Sequence, residues 1–270
     1  MKHYLSEYAV GLFMVALFIA CLFFIPKFAS ATNLLNISTQ VAINGLIATG
    51  MTFVILTGGI DLSVGAVAAL ASIFAADICL KLGDPGVMAS LMVFLTVSLG
   101  FGTVCGLFTG VFINRLNVPP FIATLATCNI CRGAAYLYTN AKPIHGMNDN
   151  FKILGMTKIG GMIPVCVLLL TAVMAVAYIY LSRTCGGRCI FSVGSSEEVS
   201  KLCGINVKKI KYTCYIICAC LASLAGCVYA SKLQAGQPQA CDGYELNAIA
   251  AVAMGGNSMN GGKGGMIQTV

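Results

Sequence analysis

Apolar residues fill long continuous blocks of this chain, and polar residues are confined to short interruptions between them. The blocks run roughly Tyr8–Ile25, Val41–Thr57, Leu62–Leu80, Val87–Ile113, Phe121–Thr139, Met162–Leu181 and Tyr212–Ala230. Each is near the ~20 residues with which a helix crosses a bilayer. Their apolar positions are consecutive rather than alternating, so the pattern predicts spanning helices and not the strands of a barrel. A shorter block, Leu246–Met254, ends at Gly255-Gly256 and predicts a half-helix. The expected fold is an all-α polytopic transmembrane bundle with broken helices, about eight membrane segments in one domain over residues 1–270.

The first block admits a second reading. Residues 28–32, FASAT, offer an Ala-Ser-Ala cleavage-like site, as a signal peptide would. A retained helix is preferred, because many spans follow and the stretch is longer than a usual signal core.

The stretch VILTGGIDLSVGAVAAL, residues 54–70, places two glycines and one aspartate where the hydropathy is high. Gly58 and Gly59 are expected to end one helix, and Asp61 to cap the next one beside Ser63. This makes Gly58, Gly59, Asp61 and Ser63 a helix-junction turn. The competing reading of Asp61 is an ion-coupling carboxylate, since charges within membranes often mark transport paths. Arg132 lies deep in the fifth block, with Asn129 one turn earlier on the same face. The pair reads either as polar glue between helices or as a wall of a translocation path.

Charge changes the picture through its placement. The chain has 16 Lys and Arg against 9 Asp and Glu, yet only 9% of it is charged. A soluble domain carries about 25%. Residues 182–211 hold Arg183, Arg188, Lys201, Lys208, Lys209 and Lys211, the densest basic stretch. By the positive-inside rule this loop is cytoplasmic, which puts the N-terminus with Lys2, and also Arg115 and Lys263, on the cytoplasmic side. The 140–161 loop, with Lys142, Lys152 and Lys158, then faces outward. Scattered basic residues of this kind are no nucleic-acid footprint.

Within the basic loop, Ser195 followed by Glu198 fits a capping box, and Gly204 supplies a stop. A short helix is expected between them, with Val199, Leu202 and Cys203 on one face and Glu197, Ser200 and Lys201 elsewhere. Two turns are not stable alone in water, so the helix must pack on something.

Fourteen cysteines lie mostly inside apolar blocks and read as small hydrophobes. The pairs Cys128–Cys131 and Cys185–Cys189 have spacings compatible with metal or redox chemistry, but no second pair or histidine stands near either. No nucleotide-binding glycine loop or catalytic constellation is present, so no cofactor is expected and nothing in the chain supplies energy.

Four blocks together carry a family resemblance: ILTGGIDLSVGAVAAL, NVPPFIATLATCNICRGAAYLYT, GSSEEVSKLCGINVKKIKYTCYIICACLASLAGCVYASKL and GYELNAIAAVAMGGNSMNGGKGG. In this order they resemble the membrane permease subunit of ribose-type monosaccharide ABC importers, from about Asn33 onward. The resemblance implies import of a monosaccharide such as ribose across the cytoplasmic membrane. It implies as partners a second permease chain, a cytoplasmic ATP-binding cassette subunit and an extracytoplasmic sugar-binding protein. Residues Ser195, Ser196, Glu197, Glu198, Val199, Ser200, Lys201, Leu202, Cys203 and Gly204 would form the coupling helix in a cleft of the ATPase. The Gly58–Asp61 turn would lie near the cytoplasmic face, and Arg132 matches a family arginine. Two departures stand out: TCGGRC at 184–189, and the lack of an Asn near Ser196. Family chains also continue for roughly two helices beyond GGKGG, so the bundle is expected to lack its last helices. The alternatives carried forward are an ion-coupled secondary transporter using Asp61 and an inactive truncated permease; a membrane-embedded enzyme is disfavoured.

Overall fold

The computed structural model describes residues 9–83 and 85–269. Lys2 and Tyr8, weighed above, lie outside the described residues. The described residues form eleven α-helices: α1 Ala9–Phe24, α2 Ala31–Leu56, α3 Val64–Lys81, α4 Val87–Thr96, α5 Gly102–Asn114, α6 Pro120–Thr139, α7 Val165–Arg183, α8 Cys185–Ser195, α9 Glu197–Leu202, α10 Val207–Leu233 and α11 Tyr244–Met254. A π-helical turn, Val97–Phe101, joins α4 to α5 into one rod. Among the described residues, five helices can cross a membrane by length and composition: α2, α3, the α4–α5 rod, α7 and α10. The chain is a multi-pass integral membrane protein.

α10 is the hub, packed against α2, α3 and α5. Small residues set these crossings, because lipid offers no hydrophobic drive between helices and close backbone approach must supply the contact. Gly102 and Gly106 of α5 lie so near α10 that an added Cβ would stand 2.5 Å from Cα of Cys220 and of Ile216 respectively. Gly110 faces the Tyr212 ring in the same row. Gly50 of α2 meets Cys218 of α10, and Gly226 of α10 meets the Ala68 carbonyl of α3. Around these crossings Ile43, Leu46, Ile47, Met51, Val54 and Ile55 of α2 are fully buried. Burial differs among the helices: 78% of the apolar window of α2 is buried, against 22% of that of α7, which leaves α7 on the periphery.

α2 starts ten residues before the predicted block. Ser30 caps it, accepting the Asn33 amide at 3.3 Å, and the polar turns that follow are satisfied locally, with Ser38 and Thr39 both donating to the Leu35 carbonyl. At the end of the bundle where α2 begins, a 3₁₀ turn, Asp149–Ile153, seats Phe151 against Phe94 with ring centroids 5.1 Å apart. The Ser231 hydroxyl donates to the Phe151 carbonyl at 2.6 Å and accepts the Gly155 amide at 2.9 Å, fastening this loop to α10. A two-stranded antiparallel hairpin, β1 Lys158–Ile159 and β2 Ile163–Pro164, leads into α7.

Between α10 and α11 the chain turns back into the bundle. Ile144 and Gly236 form an isolated antiparallel bridge. Ala240 and Cys241 are then buried against Ala68 and Ala69 of α3. Gly243, at φ +78°, opens α11 from this buried position, which makes α11 the half-helix that its short block predicted.

Candidate coupling and translocation surfaces

Three places hold the residues singled out by sequence. The first is the α2–α3 junction. α2 ends at Leu56, Gly58 adopts φ +76°, and α3 begins at Val64. Gly59 lies against the buried Tyr215 of α10, whose hydroxyl would stand 2.6 Å from a Cβ there. Asp61 is 1% exposed. One of its oxygens, Oδ1, accepts the Ser63 amide at 2.9 Å and the Ser63 hydroxyl at 2.6 Å. This differs from the expected cap. Ser63 occupies the cap position of α3 without a side-chain bond, and Asp61 closes an Asx turn one step earlier. The reason is the turn length: with Gly58 left-handed, the chain needs residues 60–63 to bring the next helix onto α10.

The second place is the opposite end from the hairpin, where α8 and α9 sit. The helix over 185–195 is not among the elements expected from sequence, and it contains Gly186, Gly187 and Gly194. Here they allow contact: a Cβ at Gly187 would meet the Leu181 backbone, and one at Gly194 would collide with the Leu56 carbonyl oxygen. Because α8 runs through to Ser195, the break falls one residue later than the capping box required. Ser195 donates back to the Phe191 carbonyl. Ser196, in extended conformation, is the cap, accepting the Val199 amide at 3.3 Å. Glu197 and Glu198 then stand in the first turn, where the helix dipole favours them. α9 ends in a Schellman arrangement: Cys203 follows Leu202, Gly204 has φ +79°, its amide reaches the Lys201 carbonyl, and the Ile205 amide reaches that of Ser200.

The faces of α9 are informative. Ser200 is fully buried, its hydroxyl 2.8 Å from that of Ser192 on α8. Glu197 pairs with Lys211 of α10. The apolar positions point the other way: Val199 is 57% exposed and Leu202 88%, with Cys203 also exposed. Cys185 and Cys189 of α8 are free thiols, and burial with Cys185 beside it raises the Cys189 thiol above its ordinary value. Among the described residues no group of three or more His, Cys, Asp or Glu is placed to hold a metal ion.

The third place is α6. Arg132 is half-buried and donates from Nη1 to the carbonyls of Pro238, at 2.8 Å, and Ala240, at 3.0 Å. Its Nη2 lies 3.5 Å from Asp242 Oδ1. Asn129 is exposed on the same helix. Arg132 therefore anchors the inward-turning segment that delivers α11. Glu245, in the first turn of α11, lies close enough to Gly65 of α3 that any Cβ there would strike its carboxylate.

Comparison with known proteins agrees with this architecture. The family described as branched-chain amino acid transport system/permease component matches residues 33–267. The ribose import permease protein RbsC of Escherichia coli K12 is 41% identical over 248 residues, 91% of this chain and 75% of that protein. The Bacillus subtilis 168 protein of the same name is 40% identical over 265 residues, 97% of this chain and 79% of its own. The L-arabinose transport system permease protein AraH of Escherichia coli K12 is 32% identical over 267 residues, covering 96% and 77%. No solved structure gives a significant match. With nearly nine-tenths of its length inside one family and three relatives above 30% identity, the chain belongs to the branched-chain amino acid transport system/permease component family of membrane permeases.

Proposed function

We infer that this permease is the membrane subunit of an ATP-driven importer that carries a monosaccharide, ribose first among the candidates, across the cytoplasmic membrane. The observation that carries this reading is α9. Its buried face is a serine and its apolar face is turned out, the reverse of a helix made to complete its own bundle. Such a helix fits a cleft in a partner, and the basic stretch around it faces the cytoplasm by the positive-inside rule. The partner is a separate ATP-binding cassette subunit, because this chain has no nucleotide-binding motif. An extracytoplasmic sugar-binding protein and a second permease chain complete the assembly, with the N-terminus inside. All 270 residues act as one permease domain, and Asn129, Arg132 and the segment held by Arg132 line the solute path.

The relatives support the choice of solute: two are named for ribose and one for L-arabinose. Co-expression with a cognate ATPase and binding protein, followed by uptake of labelled ribose into proteoliposomes, tests the reading. ATP-dependent uptake that ignores protonophores and sodium is expected. Uptake driven by an ion gradient without ATP would replace this reading with the secondary transporter. The bonds from Ser63 to Asp61 Oδ1 support a turn-closing role for this carboxylate.

A further inference from the structure

The geometry points to Gly194, Gly261 and Gly262 as positioning residues that carry movement of α8–α9 into the α2–α3 turn; this rests on the reading of residues 195–204 as the ATPase contact. Three segments distant in sequence meet there: the end of α8, the turn after α2 and the loop 258–265. They meet backbone to backbone. The Gly262 amide donates to the Leu56 carbonyl at 3.0 Å, satisfying one of the carbonyls left open where α2 ends. A Cβ at Gly262 would stand 2.8 Å from the Ser195 amide nitrogen, and one at Gly261 2.7 Å from the Gly58 amide nitrogen. Both residues have positive φ, +83° at Gly261 and +72° at Gly262, so glycine is needed for conformation as well as for space. At Gly194, on α8, any side chain would enter the Leu56 carbonyl.

A contact without side chains has no rotamers in which to absorb a displacement. The hydroxyl contact of Ser192 with Ser200 makes α8 and α9 one body, so a shift of α9 reaches Gly194. From there it passes to Leu56 and Gly58, and through the Asp61–Ser63 turn to the start of α3, which packs on the hub α10. The loop 258–265 is the wedge that keeps these partners in register.

Hydrogen exchange on the assembled permease–ATPase complex tests this, with and without ATP. In the unaltered complex, ATP is expected to change exchange at residues 197–202, at 58–63 and at 258–262 together. Response at 197–202 with none at 58–63 would overturn the transmission and leave the ATPase contact standing. Response at neither would remove the ATPase contact and this inference with it. Gly194→Ala is expected to keep the response at 197–202, lose it at 58–63, retain basal ATP hydrolysis, and lower solute-stimulated hydrolysis and uptake by roughly tenfold, within the range of ordinary coupling energies. Gly186→Ala, whose Cβ would meet the Tyr180 side chain rather than the backbone of another segment, is expected to behave as the parent. Unaltered coupling in Gly194→Ala would overturn the proposal, and if that variant fails to assemble, the exchange pattern of the parent complex decides alone.

Discussion

The Arg132 guanidinium donates to the Ala240 carbonyl at 3.0 Å across 108 residues of sequence. A second bond from the same nitrogen reaches Pro238. Together they hold a buried backbone segment whose carbonyls have no helix of their own to satisfy them. Arg132→Ala is expected to cost about 2 kcal/mol by leaving both carbonyls unpaired, read as a lower melting temperature in detergent and faster proteolysis near residues 235–243. Lys is expected to rescue little, because an ammonium lacks the guanidinium's fixed fork of donors. The exposed Asp242 contributes little, and Asp242→Asn should leave stability within experimental error.

The position of the α9 cap separates two neighbouring serines. Ser196→Ala is expected to lose about 1 kcal/mol of local helix stability, seen as faster amide exchange at Val199 and Ser200. Ser195→Ala removes only a bond back into α8 and should leave those amides unchanged. The opposite ranking would place the cap where the capping-box pattern put it.

Asp61→Asn keeps an oxygen able to accept both Ser63 donors. Folded yield and ATP-driven uptake are therefore expected to survive, whereas Asp61→Ala should lower the yield by losing about 1 kcal/mol. Folded protein with abolished uptake in the Asn variant would instead favour an ion-coupling carboxylate.

Glu197 and Lys211 form a partly exposed pair, 42% and 18% by side chain. Charge reversal at either is expected to weaken ATPase attachment, and the exchange of both charges to restore part of it, with a coupling of about 0.2–1 kcal/mol in a double-mutant cycle. Glu197→Lys with Glu198→Lys puts two positive charges at a helix start and is expected to uncouple uptake from hydrolysis. Normal ATP-driven uptake in that variant would remove the coupling role of α9.

The bundle was legible in the sequence because bilayer thickness imposes helix length, and apolar runs such as Val87–Ile113 and Tyr212–Ala230 report it directly. What escaped has physical causes. The first turns of α2 are helical despite Asn33, Asn36, Ser38, Thr39 and Gln40, because hydropathy does not register hydroxyls that bond within their own helix. Gly186, Gly187 and Gly194 look like breakers until the backbones that need their space are known. Arg132 drew notice as an intramembrane charge, but its partners are main-chain carbonyls, which carry no sequence signature. Ser196 replaced Ser195 as cap because α8, itself unforeseen, absorbed the first serine.

The π turn at Val97–Phe101 gives the α4–α5 rod one residue more than regular α-helical winding would place there. One residue is about 100° of rotation. The surplus therefore fixes the phase in which Gly102, Gly106 and Gly110 meet α10. Were the same residues wound as an uninterrupted α-helix, the glycine row would swing about 100° away from the hub, whereas loss of a single residue within the turn would return the rod to regular winding with the row still facing α10. In this stretch the π turn acts as a rotational setting, taking up one residue so that two helical segments of different register share one rod.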